Sequence, residues 1–152
     1  MVVKDEIALL FASITEAVFL ADTPKSALEH LQNLQHTSKN GMPFILLLLP
    51  ITEKRGTKYT DVSVSFVLGT VTRHDFSTDQ RQLTTFTPIL EPIFDKFERL
   101  IRVGNTRIKG NYGAIIEKIN QYYWGQDSTI LNEYIDCIEV KNIELKIKNK
   151  NC

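Results

Sequence analysis

The feature that most constrains this chain is a long alternating stretch, residues 59–74, followed closely by an amphipathic one. In the first stretch apolar residues recur at every second position, which is the pattern of a half-buried strand. One face of it carries Val62, Val64, Phe66 and Leu68. About 15 residues is long against the usual 5–6, so the ribbon is predicted to project beyond its own core. The alternation slips at Gly69, which predicts a bulge or bend there.

The second stretch, residues 86–103, predicts a helix that covers the ribbon. Apolar residues recur in it at three- and four-residue spacing, and charged residues fill the opposite face. The apolar stripe consists of Phe86, Ile89, Leu90, Ile93, Phe94, Phe97, Leu100 and Ile101. Pro88 and Pro92 cannot both take the first helical position without cost. A regular helix is therefore predicted from about Pro92, after a looser turn, and Gly104 is predicted to end it.

Before the ribbon, the sequence predicts two helices and a buried strand. Residues 4–20 carry an apolar stripe typical of a first helix, and Asp22 and Thr23 provide a cap for a second helix that begins at Pro24. Six apolar residues, 44–49, lie between two prolines and favour a strand buried on both faces. The short charged turn at 53–58 predicts that this strand pairs antiparallel with the ribbon.

Beyond Gly104 the patterns are weaker. Residues 105–113 predict a flexible loop or a short strand, residues 115–124 a helix, and residues 127–135 a capped turn. The apolar phase of residues 138–147 changes midway, which predicts a strand with a bulge near Lys141 and Asn142. Lysines alternate with its apolar residues, so an edge position is predicted.

Together these elements predict an α+β fold: a small, mostly antiparallel sheet with a long β-ribbon and helices packed on one face. The 152 residues predict one domain, 1–152, with an N-terminal helical pair in 1–36 and a sheet-and-helix core in 42–148. Eighteen basic and eighteen acidic residues cancel, so net charge gives no attraction to DNA or anionic lipid. No apolar run approaches the ~20 residues of a membrane helix, and no membrane partner is predicted. Cys137 and Cys152 indicate thiols in a reducing compartment.

No residue set predicts catalysis, cofactor binding or a metal site. The spacings of zinc proteases, serine hydrolases and phosphate-binding loops are absent. His74 and Asp75 are the only adjacent base and carboxylate, and a solvated turn is the simpler interpretation, because a dyad needs a third group within reach. The other polar residues considered as ligands or bases, and interpreted as capping or solvated side chains, are His30, His36, Asp61 and Asp79.

Three further clusters allow two interpretations each. The basic residues Arg102, Arg107 and Lys109 are interpreted as a solvated helix end and loop, with contact to a negative surface as the alternative. The aromatic segment 122–124 favours core or interface packing, with stacking on bases as the alternative. The glycines that follow the long helix do not lie after a strand, as a dinucleotide site requires, and are interpreted as a flexible loop.

Five segments are similar, in their residue character and in their order along the chain, to those of a known family. They are residues 43–50 (PFILLLLP), 61–69 (DVSVSFVLG), 86–94 (FTPILEPIF), 123–124 (YW) and 135–140 (IDCIEV). This arrangement resembles tail-terminator and neck (head–tail connector) proteins of tailed bacteriophages, especially those that infect Bacteroidetes. The resemblance spans roughly residues 42–147.

The resemblance implies a non-enzymatic virion protein, assembled in the host cytoplasm, that forms a homo-oligomeric ring, often of six subunits. Such a ring joins head to tail, ends growth of the tail tube, and contacts the neighbouring neck and tail-tube proteins. It also implies that residues 59–74 and 138–147 are subunit contacts and that the loop from Arg102 to Lys109 faces DNA or the tube. Two other functions remain open from the residues themselves: a soluble α+β protein-binding adaptor without catalysis, and a small enzyme with a site assembled from scattered residues.

Overall fold

The computed structural model describes residues 1–27, 42–72, 76–124 and 134–150. A curled, seven-stranded sheet has helices on one side, which confirms the predicted α+β fold. The strands are β1 (Val18–Asp22), β2 (Phe44–Leu48), β3 (Thr52–Arg55), β4 (Tyr59–Thr72), β5 (Ile108–Lys109), β6 (Glu117–Trp124) and β7 (Tyr134–Lys148). The helices are α1 (Val3–Leu10), α2 (Thr78–Arg81), a π-helical segment (Gln82–Leu90) and α3 (Glu91–Val103).

Two long antiparallel strands, β4 and β7, form the centre of the sheet. They pair along almost their whole lengths of 14 and 15 residues. On the other side of β4 lie β2 and β3, and on the other side of β7 lie β5 and β6. The long ribbon is therefore confirmed, but the prediction that it projects beyond the core is wrong. It pairs with β7 along almost its whole length, and on the other side its residues 60–63 pair with β3 and 66–69 with β2, so much of its backbone hydrogen bonding is satisfied within the sheet.

The predicted first helix over residues 4–20 is wrong in its second half. The helix ends at Leu10, and after a turn in which the amide of Ile14 donates to the carbonyl of Phe11, the chain enters β1. β1 runs parallel to β2, with Val18 opposite Phe44. This ladder satisfies the backbone of β1 by tertiary pairing, which overrides the helical spacing of the side chains.

The predicted start of the second helix is confirmed. Residues 24–27 are helical, and the Thr23 hydroxyl accepts a hydrogen bond from the amide of Ser26 at 3.4 Å, as a cap does. The remainder of that predicted helix lies outside the described residues. The buried strand after it is confirmed, since the first four residues of β2 are buried, and it pairs antiparallel with β4 as predicted.

The predicted helix over residues 115–124 is wrong, because residues 117–124 form β6 and pair antiparallel with β7. Aromatic residues such as Tyr122 favour a pleated surface, and the backbone of β7 provides the partner. β7 itself is not an edge strand, which corrects the second prediction for this region. Lys146 and Lys148 alternate with buried residues because one face of the sheet is exposed there.

The predicted bulge in β7 is confirmed. Val64 pairs with Ile143 and Phe66 with Val140, so β7 has one residue more than β4 in this interval. Asn142 adopts a positive φ of 56° and its amide donates to the Ser65 hydroxyl at 3.1 Å. Asparagine tolerates this left-handed conformation better than most residues.

Gly69 does not mark a bulge, contrary to prediction. The pairing of β4 with β7 continues in register through Gly69 and Cys137. A Cβ atom at position 69 would overlap the ring of Phe44 on the adjacent strand β2. Glycine is needed here for close packing of that ring.

The long helix agrees with its prediction. Regular α-helix begins at Glu91 with Pro92 in the first turn, and the preceding segment, which contains Pro88, is the wider π-helix. Gly104 ends the helix with a φ of 73°. The loop that follows contains the two-residue strand β5, one of the two predicted forms.

Two apolar clusters lie on opposite faces of the sheet. The inner face, covered by α1 and the helical run 78–103, holds three mutually packed rings: Phe97 lies 4.8 Å from Phe11 and 4.9 Å from Phe66 between centroids. The outer face holds a smaller cluster made of Leu20, Ala27, Phe44, Leu46, Val67, Ile135 and Cys137. This cluster covers the β1–β2 side of the outer face, whereas the part formed by β3, β5 and the end of β7 carries exposed polar side chains.

Candidate interaction surfaces

The residues considered for catalysis or metal binding form no site within the described part of the chain. His30, His36, His74 and Asp75 lie outside it. Among the described residues no group of three or more His, Cys, Asp or Glu side chains could hold a metal ion. None of the described helices has the length and apolar character needed to cross a membrane.

The basic residues at the end of α3 do not share one surface. The guanidinium of Arg102 donates to two main-chain carbonyls of the following loop, at 2.8 and 2.9 Å, and therefore fixes that loop to the helix. Arg107 lies 3.5 Å from the carboxylate of Glu6 in α1. Lys109, in β5, is exposed on the outer face of the sheet. Of the three, Lys109 is the residue best placed to meet an external anion.

The aromatic segment is part of the core where the structure describes it. The ring of Tyr122 packs edge-on against Phe86, 5.0 Å between centroids, as core packing predicts. Next to it, Lys118 binds the carboxylate of Glu91 with contacts of 2.6 and 2.7 Å and joins β6 to α3. The side chains of residues 123 and 124 lie outside the described set.

The glycine loop is closely packed, which corrects its interpretation as a flexible segment. Gly104 and Gly110 approach each other so closely that a Cβ on Gly104 would overlap the backbone of Gly110. The amide of Asn111 donates to the carbonyl of Ile101 at 3.2 Å. Glycine at these positions therefore permits the loop to fold back on the end of α3.

Four strands of the described sheet pair with one other strand only: β1 and β3 on one side of the central strands, and β5 and β6 on the other. All four residues of β3 are exposed, and within the described residues this strand pairs only with β4. On the opposite side, β6 pairs only with β7 among the described residues, and Glu117, Asn120 and Gln121 in it are exposed. Unpaired strand edges are ready templates for another strand.

Exposed apolar side chains lie next to the β6 edge. Ile115 is 98% exposed, two residues before β6, and Tyr112 is 75% exposed in the same loop. Val103, at the end of α3, is 52% exposed, and the bonds from Arg102 hold the loop beside it. Neighbouring exposed apolar residues are typical of interaction sites.

A row of charged residues crosses the outer face at the other end of the sheet. Lys54 lies opposite Asp61, Asp61 opposite Lys146, and Lys146 opposite Lys109. The ammonium of Lys146 is 3.6 Å from the carboxylate of Asp61, which is the closest ion pair within the row. A cleft of about 460 Å³ lies over the row and is also lined by Asn111 and by the carboxylate residue Glu144, so three lysines face two carboxylates in it. Asp61 was interpreted from sequence as a capping residue, and the structure places it among these lysines instead.

A buried ion pair joins α2 to β7, and the sequence patterns did not single it out. The guanidinium of Arg81 contacts the carboxylate of Asp136 at 2.9 Å, and both side chains are almost wholly buried. The hydroxyl of Thr85 donates to the second carboxylate oxygen at 2.8 Å. The sequence feature that could have indicated this pair is an aspartate inside an apolar strand, because a buried carboxylate requires a partner.

Comparison with known proteins gives no relative for this chain. No protein-family model, curated protein or solved structure matches it. Its function is therefore argued from the surfaces described above.

Proposed function

We propose that this chain is a structural, non-enzymatic protein that forms a homo-oligomeric ring at the neck or tail terminus of a tailed bacteriophage. In this role it joins head to tail and ends growth of the tail tube. The observation that carries the proposal is the pair of unlike, exposed edges on one curled sheet, β3 on one side and β6 on the other. The resemblance of the sequence to phage neck proteins provides the setting.

Two unlike edges favour head-to-tail association. When one edge of a copy pairs with the other edge of the next copy, the interface is heterologous, and a rotation that closes gives a ring. The central strands β4 and β7 pair with each other, and each also pairs with two further strands of the chain. The proposal assigns the joining of sheets between copies, which the resemblance implied for these two strands, to β3 and β6, because most described residues of these edge strands are exposed.

The exposed apolar residues beside β6 support the same interface. Tyrosine at an interface buries a large apolar area and is enriched among residues that dominate binding energy. Tyr112 and Ile115 are exposed in the loop that leads into β6, the edge strand used in the proposed interface. They would become buried on assembly.

The test is the mass of the purified full chain by light scattering, with negative-stain images of the same fraction. The proposal expects a closed oligomer with a central hole. Ile115→Asp, which places a charge beside the β6 edge, is expected to shift the mass toward monomer. Leu83→Asp is the matched control, because Leu83 is 73% exposed on the π-helical segment, outside the edge.

A monomer at all attainable concentrations would reject ring formation by this chain and favour the protein-binding adaptor. An equal decrease of the oligomer mass in Ile115→Asp and Leu83→Asp would show that the β6 edge is not the interface. Circular dichroism of each variant establishes that the fold is retained, as expected for substitutions at exposed sites.

A further inference from the structure

One end of the sheet is strongly basic although the chain as a whole is neutral. The strand pairing brings together the β3–β4 hairpin, β5 and the C-terminal residues of β7, and we call this region the basic end. Its exposed cationic residues are Lys54, Arg55, Lys58, Lys109, Lys146, Lys148 and Lys150, and its carboxylates are Glu53, Asp61 and Glu144. The whole chain balances 18 basic against 18 acidic residues, so the excess of positive charge here is local.

Within the basic end, the row formed by Lys54, Asp61, Lys146 and Lys109 has unbalanced charge. The single carboxylate of the row, Asp61, contacts Lys146 at 3.6 Å. Among the described residues no carboxylate forms an ion pair with Lys54 or Lys109. Lys109 and Lys146 lie directly opposite each other on adjacent strands, and like charges in that arrangement repel. A bound anion would relieve the repulsion.

The shape of the surface fits an extended ligand. Neighbouring strands lie about 4.8 Å apart, so a row across four strands is about 15 Å long and its lysines do not converge on one point. A second cleft, of about 290 Å³, lies at the hairpin tip and is lined by Arg55 and Lys150. The side-chain amide of Asn149 holds this tip by donating to the carbonyl of Gly56 at 2.8 Å. The cations are thus presented on a fixed framework.

We propose that the basic end binds the phosphate backbone of a nucleic acid. About five consecutive phosphates of a duplex strand, separated by four steps of roughly 3.4 Å of rise, match the length of the row. The contacts are to backbone charge, so binding is independent of base sequence. The proposal does not rest on ring formation, since the row is complete within a single chain.

Binding to phosphates makes the binding constant depend on salt concentration in a predictable way. Three lysines that each neutralise one phosphate give a slope of about −2.7 for the logarithm of the binding constant against the logarithm of salt concentration. The affinity then falls roughly 40-fold between 50 and 200 mM salt. This dependence separates phosphate contacts from apolar binding, which salt does not weaken in this way.

The experiment is fluorescence anisotropy of a labelled 20-base-pair duplex with the full chain over this salt range. The triple variant Lys54→Gln, Lys109→Gln, Lys146→Gln is expected to bind at least tenfold more weakly at 50 mM salt. The control replaces three exposed lysines outside the basic end in the same way, at positions 4, 25 and 96, and changes net charge equally. Retained binding by this control supports the proposal.

Three outcomes would overturn the proposal. The first is no binding of the duplex by the wild-type chain at 50 mM salt. The second is an equal loss in both triple variants, which would reflect net charge alone. The third comes from competition with tripolyphosphate: if it displaces the duplex at concentrations near those of the protein, the ligand is a small free phosphate compound and the nucleic-acid assignment is wrong. Circular dichroism verifies that each variant is folded.

Discussion

The buried ion pair between Arg81 and Asp136 allows the sharpest test of how this fold is held together. The two side chains are 1% and 0% exposed, and the bonding atoms are 2.9 Å apart. Around them, Thr85 donates to the carboxylate at 2.8 Å and the guanidinium also donates to the carbonyl of Phe76 at 3.1 Å. Arg81→Met would remove the guanidinium from the buried carboxylate, and Asp136→Leu would remove this carboxylate from the buried guanidinium.

Removal of one partner of a buried pair costs about 3–5 kcal/mol, because the remaining charge loses its counter-charge in a medium of low polarity. Replacement of both partners by apolar residues of similar volume is often neutral or stabilising. Each single variant is therefore expected to lose about 3–5 kcal/mol of unfolding free energy, and the double variant much less than the sum. With a urea slope near 2 kcal/mol per M, each single substitution would lower the midpoint by about 1.5–2.5 M.

The assay is urea unfolding followed by circular dichroism for the wild type, the two single variants and the double variant. Single losses below about 1 kcal/mol, the range of exposed pairs, would refute the argument that desolvation makes this pair critical. Additive losses in the double variant would refute the argument that the cost comes from the lost ion pair, since additivity indicates independent contributions.

Three further results are expected. Gly69→Ala should lower the free energy of unfolding by about 1–3 kcal/mol, as measured by urea unfolding. Addition of Phe44→Leu should restore part of this loss, because the smaller side chain makes room for the new methyl group. No loss in Gly69→Ala would contradict the packing argument. Burial and nearby carboxylates raise the pKa of the Cys137 thiol. Mass spectrometry should therefore find Cys137 unmodified by a thiol reagent at pH 8 until urea is added. Rapid modification of Cys137 in the folded protein would contradict its burial. The hydrogen bond from Lys96 lowers the pKa of Glu16, so an NMR titration should find a higher value in Lys96→Met. Because the folded pKa of Glu16 is the depressed one, the small stabilisation from the pair is present at neutral pH and is lost as pH falls through that value.

Long periodic patterns made the central elements predictable from sequence. β4 and α3 each repeat one period over more than ten residues, so one interpretation dominates. The bulge was predictable because the apolar phase of β7 changes on either side of Lys141 and Asn142. β1 and β6 were missed because they are short and their side-chain spacing also fits a helix. Their strand conformation depends on ladders with β2 and β7, which sequence spacing does not reveal.

The candidate surfaces were less predictable for a different reason. The row of lysines draws on positions 54, 109 and 146, which three separate strands bring together. A balanced net charge hides such a local excess. Likewise, Arg81 and Asp136 are 55 positions apart, and their contact follows from the docking of α2 on β7. Only the sheet register and helix placement show either cluster.

The bulge at Asn142 makes the length of β7 as important as its composition. Before it, even-numbered residues such as Ile138 and Val140 face the helices; after it, odd-numbered residues such as Ile143 and Leu145 do. Deletion of Asn142 would remove this extra residue and leave the apolar residues on the helix side, whereas deletion of Glu144 would turn the remainder of the strand over and send Lys146 and its charged neighbours towards the core. A one-residue deletion outside the bulge would therefore be far more damaging than most substitutions in this strand.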